Sequence, residues 1–314
     1  MMNGLLKGGL SGECFGLLFD KGTISHAEIS DNVKCLMLSP FEYTLVMNPN
    51  LVKRFSGLSN LYSKRALQTI TQSHVVVIGV GGVGSWAVEA LARNAIGAIT
   101  MIDMDLVSES NINRQLPALS STLGRDKTAV LKDRILDINP ECKVTIVDDF
   151  VTLENVAEIR SSEVVWDYVI ECVDSFRVKA AIIRHCKRNK LPVTTVGGAG
   201  GQIDPLKIKQ VDLSRTQHDA LFSKTRKILR QDYGFARNPK RVFSIPCVYS
   251  DEQIRYPDGQ GGITMEKPEG SEKSGLSCAG GIGSSMQVTA SFGLTAVAYV
   301  INCLIEAANV EQIK

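Results

Sequence analysis

From about Ser73 the apolar positions of the chain fall into a repeating order. Short β-branched runs alternate with stretches whose apolar residues recur at helical spacing. HVVVIGV (74–80) reads as a strand ending in a glycine cluster, residues 85–96 as a helix, and AITMIDMD (98–105) as the next strand. KVTIVDDF (143–150) and DYVIECVD (167–174) are two further strands, each following a helical stretch. Continuous apolar strands that alternate with helices predict a mostly parallel sheet covered on both faces, an α/β, Rossmann-like architecture. The second half is less regular. It holds LPVTTVGGAGG (191–201), a basic stretch over 207–241, a Gly-rich loop near 275–283 and a last apolar helix over about 285–307. From Val288 to Ile305 that helix carries no charge, which reaches the lower length limit of a membrane span. Thr289, Ser291, Thr295 and Asn302 interrupt it, so it is read as a core or dimer-interface helix, with no membrane partner.

The first 46 residues lack this order. Their opening has a thin charged region and no small-residue cleavage site, a poor match to a signal peptide. Met47 is a second start-like point, and MNPNLVKRFSGLSNLYSKRAL runs from it into the patterned region. Residues 1–46 are therefore expected to be an extension that adds little to the core, and 47–314 a single domain; a short accessory segment is the alternative for 1–46.

Composition narrows the class. With 44% hydrophobic and 22% charged residues the chain can bury a sizeable core, which excludes a disordered or coiled-coil protein. The net charge of +2 means that attraction to nucleic acid must come from local patches. None of the eight cysteines (14, 35, 142, 172, 186, 247, 278, 303) forms a CxxC pair. This argues against structural zinc and fits buried thiols in a reducing, cytoplasmic compartment. The histidines at 26, 74, 185 and 218 have no ligand spacing.

The chemistry concentrates after the first patterned strand. Gly79, Gly81 and Gly84 fit GxGxxG, with Gly82 beside them, between a strand and a helix. There glycines let the backbone approach phosphates, and the helix terminus offers free N–H groups. Asp103 lies where a carboxylate can accept from both ribose hydroxyls. A dehydrogenase would share these features. Hydride transfer, however, needs no cluster of cations at the phosphates, whereas nucleotidyl transfer does, because charge develops on the attacked and leaving phosphates. Arg114, in NINRQ (111–115), offers a planar fork, and Lys127, in GRDK (124–127), a point charge.

The ordered set GxGGxG, DxD (Asp103 and Asp105), NxNRQ, GxxK and the strand-end Asp174-Ser175 resembles the ubiquitin-activating-enzyme-like adenylyltransferases over roughly residues 50–305. The resemblance implies ATP as cosubstrate, with Asp103 on ribose, Asp105 completing the DxD, and Asn111, Arg114 and Lys127 on the triphosphate. It gives Mg²⁺ to Asp174. Arg54, in RFSG, matches a family arginine that reaches into the other subunit of a homodimer, and Arg65 competes for that role. Members that act on sulfur carriers usually carry paired CxxC motifs, which this chain lacks. NPECKVTIVDDFVT (139–152), VTTVGGAGGQIDP (193–205) and CAGGIGSSMQVTASFG (278–293) instead resemble the tRNA threonylcarbamoyladenosine dehydratase branch. That likeness implies adenylation of a threonyl carboxylate on a modified adenosine beside the anticodon, followed by cyclisation with net loss of water. It also raises a cysteine-desulfurase sulfur-relay partner, and a monovalent cation in the glycine loop at 197–201.

An RNA substrate should leave a basic footprint. Lys207 to Arg241 holds ten Lys or Arg against three Asp, and Arg177 to Lys190 holds six with no acidic residue. Arg226, Lys227, Arg230, Arg237, Lys240 and Arg241 are the candidate tRNA contacts, with Phe222, Tyr233 and Phe235 interleaved for base stacking. Cys247 and Cys278 are read as structural, since internal cyclisation needs no covalent enzyme intermediate. Two rivals stand beside this reading: a sulfur-carrier adenylyltransferase, and a non-catalytic nucleotide-binding scaffold.

Overall fold

The structure, a computed structural model, describes residues 16–20, 23–27, 34–37, 43–46, 49–158, 165–267 and 282–311. Cys278, the Gly-rich loop up to residue 281 and most of the first 46 residues lie outside the described residues. The chain divides into two compact units, Met1–Ser56 and Gly57–Lys314. The first contains two antiparallel strand pairs, β1 (Gly16–Asp20) with β2 (Thr23–Ala27) and β3 (Lys34–Met37) with β4 (Tyr43–Val46), followed by helix α1 (Pro49–Arg54). These strands were not predicted.

The second unit opens within α2 (Ser56–Tyr62), which α3 (Lys64–Gln72) follows. It continues through β5 (His74–Ile78), α4 (Gly84–Arg93), β6 (Ala98–Ile102), α5 (Lys127–Ile138), β7 (Lys143–Val147), β8 (Tyr168–Glu171), α6 (Phe176–Arg188) and β9 (Val193–Val196). It ends with β10 (Ile208–Asp212), α7 (Ala220–Gln231), β11 (Pro246–Ser250), the short pair β12 (Tyr256–Pro257) and β13 (Ile263–Thr264), and α8 (Met286–Glu311).

Seven strands form one sheet in the order β10-β11-β9-β8-β5-β6-β7, parallel except for β10, which pairs antiparallel with β11 at one edge. The parallel α/β architecture expected from the apolar pattern is present. The order reverses between β5 and β8, because β6 and β7 extend one way from β5 and β8, β9 and β11 the other. A crevice opens at such a point beyond the carboxyl ends of the strands, where doubly wound sheets bind ligands.

The period-2 geometry of β5 divides its apolar run between two cores. Val75 and Val77 join one cluster with Leu91 of α4, Leu131 and Ile135 of α5, and Phe292, Val297 and Val300 of α8. Val76 and Ile78 join the other, with Ile182 and Ile183 of α6 and Phe222 and Leu229 of α7. Helix α8 is long and apolar enough to cross a membrane by length and composition. Its residues Val288, Phe292, Ala296, Val300 and Leu304, four apart, are buried in the first cluster, so that stripe packs as a core element.

This placement predicts two different costs on one helix. Phe292→Ala should lower unfolding stability by about 3–5 kcal/mol, as expected for truncating a fully buried aromatic. The exposed Asn302→Ala should stay within about 0.5 kcal/mol. Urea midpoints of the two variants check this, and equal costs would mean that α8 is packed differently.

Candidate nucleotide site

Gly79 follows β5 directly, and its φ of +82° belongs to the left-handed region. A Cβ there would lie 3.2 Å from the backbone carbon and oxygen of Cys172, just past β8. At Gly84, the first residue of α4, a Cβ would fall 1.8 Å from the Gly79 carbonyl oxygen, so no side chain fits. These contacts draw the loop tightly between its strand and helix at the switch point. Val83 caps α4 without a side-chain hydrogen bond. Among the described residues, the N–H groups of Gly81, Gly82 and Val83 donate to no backbone carbonyl. The loop therefore presents unpaired donors at a positive helix end, which suits an anion.

Asp103, just past the end of β6, is buried. Its Oδ2 accepts from Val80 N at 2.7 Å and its Oδ1 from Asp105 N at 2.9 Å. Burial raises the Asp103 pKa, and those two hydrogen bonds, with Lys127 nearby, oppose the rise. The carboxylate thus stitches β6 to the glycine loop and keeps spare acceptor lone pairs for hydroxyls.

The segment after β6 brings the cations to the loop. Asn111 is buried, and its Oδ1 accepts from Ser108 N at 3.2 Å. Arg114 donates through Nη1 to the Ser110 carbonyl at 2.6 Å and to Asn113 Oδ1 at 3.0 Å. A Cβ on Gly82 would lie 3.7 Å from Cγ and Cδ of Arg114, so the arginine stem crosses the loop. Lys127 begins α5 with its side chain 5% exposed, and its Nζ is 2.7 Å from Oδ2 of the half-exposed Asp105. An incoming phosphate would share or take this ammonium.

Asp174 lies two residues before α6, in the segment that abuts Gly79. It is exposed, and among the described residues its carboxylate makes no hydrogen bond or ion pair. No group of three or more His, Cys, Asp or Glu that could hold a metal ion occurs among the described residues. A lone carboxylate beside a phosphate loop nevertheless fits Mg²⁺, which keeps most of its waters and is commonly held by one or two carboxylates plus substrate phosphates. Gly79, Gly81, Gly82, Gly84, Asp103, Asp105, Asn111, Arg114, Lys127 and Asp174 thus gather around one crevice. Arg54 ends α1, in the N-terminal unit.

Several residues that shape the site carried no assignment from sequence. Trp86 donates its indole N–H to the Arg114 carbonyl at 3.0 Å, and the Thr289 hydroxyl donates to the same oxygen at 3.3 Å. Ser85 Oγ accepts from Leu116 N at 3.2 Å. Gln115 is buried, its amide faces Gly81, and its Oε1 has no partner among the described residues. Gln115 stood inside a recognised motif; Trp86 and Thr289 read only as apolar-face and helix-diluting positions.

The basic runs require correction. Lys179, counted in the second run, is fully buried and paired with Glu171 at 2.6 Å. Arg226 is half-buried, donates to Thr216 Oγ1 and faces Asp219. Arg230 lies over the Phe243 ring at 5.2 Å and donates to the Ala236 carbonyl at 3.4 Å. Phe222 is fully buried, so it cannot stack on a base, and Phe235 packs edge-on against Phe243. Lys227, Arg237, Lys240 and Arg241 are exposed, as are Lys207, Lys209 and Arg215 of the same run. The glycines at 197–201 have packing reasons: a Cβ at Gly197 would meet Asp219 Oδ2 at 2.1 Å, and Gly201 has a φ of +71°.

Cys247 is buried and its thiol pKa is pushed up by burial and then by Asp219. Cys172 is partly exposed beside the crevice, but desolvation and Glu171 push its thiol up to about 12. His74 pairs with Thr100 Oγ1 at 2.8 Å, and burial lowers its pKa.

Comparison with known proteins agrees with this geometry. A family model described as the ThiF family matches residues 55–311. The tRNA threonylcarbamoyladenosine dehydratase of Haemophilus influenzae is 47% identical over 257 residues, covering 82% of this chain and 95% of that protein. The Escherichia coli protein of the same name is 48% identical over 249 residues, covering 79% and 92%. A solved structure of the E. coli tRNA N6-threonylcarbamoyladenosine dehydratase in complex with ATP superposes with a TM-score of 0.74 at 44% identity, over 84% of this chain and 99% of that one. With most of its length matched, and with the glycine loop, carboxylates and cations gathered in one crevice, this chain belongs to the ThiF family.

Proposed function

We propose that this chain is an ATP-dependent tRNA-modifying enzyme, a tRNA threonylcarbamoyladenosine dehydratase that adenylates the threonyl carboxylate and lets it cyclise. The observation that carries the reading is the grouping of Asp103, Arg114, Lys127 and Asp174 around the Gly79–Gly84 loop. Its support from relatives is their shared name and the near-complete coverage of their length.

In this reading Asp103 accepts from the ribose hydroxyls, and the free amides of the glycine loop bind phosphate oxygens. Arg114 and Lys127 stabilise the charge that develops on the α-phosphate and the leaving pyrophosphate. A carboxylate oxygen of the substrate bonds to the α-phosphorus as the bond to pyrophosphate breaks. The ureido group then attacks the activated carbonyl, AMP leaves with that carboxylate oxygen, and the ureido proton passes to solvent. Because the second step is intramolecular, the protein need only orient it and keep water away. Asp174 would hold Mg²⁺, which supplies charge neutralisation at the phosphates when bound. The tRNA surface is the exposed set Lys227, Arg237, Lys240 and Arg241, and the protein acts as a cytoplasmic homodimer.

Incubation of threonylcarbamoylated tRNA with the protein, ATP and Mg²⁺, followed by nucleoside mass spectrometry, should show loss of one water from the modified adenosine, with AMP formed. Pyrophosphate exchange stimulated only by a small diglycine-ended protein would replace this reading with sulfur-carrier activation. Arg114→Ala and Lys127→Ala should each slow adenylation by about 10²–10³ while leaving the melting temperature near wild type.

Neutralising Lys227, Arg237, Lys240 and Arg241 should weaken tRNA binding and flatten its salt dependence, by about 0.7–0.9 in log–log slope for each phosphate that the protein no longer neutralises. ATP binding should be retained. An unchanged slope would place the RNA elsewhere. Arg226→Ala should instead lower thermal stability, since its guanidinium is tied inward to Thr216.

A further inference from the structure

Lys179 and Glu171 are the two ends of a buried ion pair that the adenylation chemistry does not use. Both side chains are 0% exposed, so neither touches tRNA or nucleotide. The Lys179 ammonium spends its three donors on Glu171 Oε2 at 2.6 Å, the Val196 carbonyl at 2.9 Å and Thr195 Oγ1 at 3.3 Å. Thr195 donates in turn to Glu171 Oε2 at 2.5 Å. The second oxygen of Glu171 accepts from Val173 N at 2.7 Å.

The position of these bonds is the informative part. Glu171 and Val196 are the last residues of β8 and β9, the points at which two crevice loops leave the sheet. The bond to Val173 N restrains the backbone immediately before Asp174. On the neighbouring loop, Asp219 takes Gly198 N at 2.9 Å and Phe222 N at 2.7 Å, and the Phe222 ring lies 5.8 Å from Lys179 Nζ. A core that needed only stability could fill this space with apolar residues at little or no cost, because desolvation offsets much of the attraction in a buried pair.

We infer that Glu171 and Lys179 are positioning residues that hold the Asp174 loop against the Gly79 loop in the geometry needed for metal–nucleotide binding. This rests on the assignment of Asp174 to Mg²⁺ made above. The pair acts through Val173 N, much as outer-shell partners orient metal ligands elsewhere.

The test uses the full-length double variant Glu171→Leu with Lys179→Met, which removes both charges and avoids leaving one unpaired. Amide exchange of the segment 172–176 should rise relative to wild type. The Mg²⁺ concentration for half-maximal ATP binding, read by calorimetry without tRNA, should rise by roughly tenfold or more. ATP binding in chelator should be unchanged, since the Gly79 loop and Asp103 remain. A folded double variant with wild-type exchange at 172–176 and an unchanged Mg²⁺ requirement would overturn the inference and leave the pair as core filling. Should that variant fail to fold, Glu171→Gln serves in its place, with a smaller rise expected and an unchanged requirement again decisive against it. Asp174→Asn is measured alongside. If it leaves the Mg²⁺ dependence unchanged, the metal assignment fails, while exchange at 172–176 still decides whether the pair holds the loop.

Discussion

The rest of the site depends on one steric constraint, the closeness of the chain at Gly79 and Gly84. A carbonyl oxygen lies 1.8 Å from where a Cβ of Gly84 would be, and the backbone after β8 lies 3.2 Å from the corresponding point on Gly79. Only backbone fits there, and the consequence is a helix that starts directly over the end of its strand. Its first amides stay unpaired and point into the crevice where strand order reverses. Asp103 reinforces the arrangement from the side, since its Oδ2 holds the Val80 amide and its Oδ1 the Asp105 amide. A carboxylate so placed restrains the loop from both of its oxygens.

Around that fixed loop the charges are held less tightly. Lys127 rests on Asp105, whose side chain is 52% exposed, and Arg114 rests on Ser110 and Asn113. Both cations therefore have protein partners that an arriving triphosphate can replace. Exchanging one charge-assisted bond for another costs less than creating a cation in an empty, dry pocket.

How much of this was legible in the sequence follows from what each signal encodes. The βαβ unit and glycine loop were legible because strand period, helix period and glycine spacing all report the same local geometry. Asp103 and Asp174 could be picked out as candidates because each follows closely on a strand, and Arg114 and Lys127 because they stand in the NxNRQ and GxxK motifs. Lys179 and Arg226 were misread because a run of cations on a helix does not say which of them faces inward. Lys179 sits one turn before Ile182 and Ile183 on the buried face of α6, and only the acceptors Glu171, Thr195 and Val196, from two strands of the sheet, make that position tolerable. Phe222 was misread for the same reason. The antiparallel edge strand β10 and the strand pairs before Val46 were missed because the first is half-polar and the second fall in a region without clear alternation.

The Lys127–Asp105 and Glu171–Lys179 pairs differ in how far solvent reaches them. Lys127–Asp105 is half-exposed on its acidic side, so solvent screens it and it can open for a phosphate. Glu171–Lys179 is fully enclosed with its donors and acceptors satisfied, so opening it would strand a charge in the core. A labile pair suits the phosphate-binding role proposed for Lys127. A locked pair suits the positioning role proposed for the segment before Asp174.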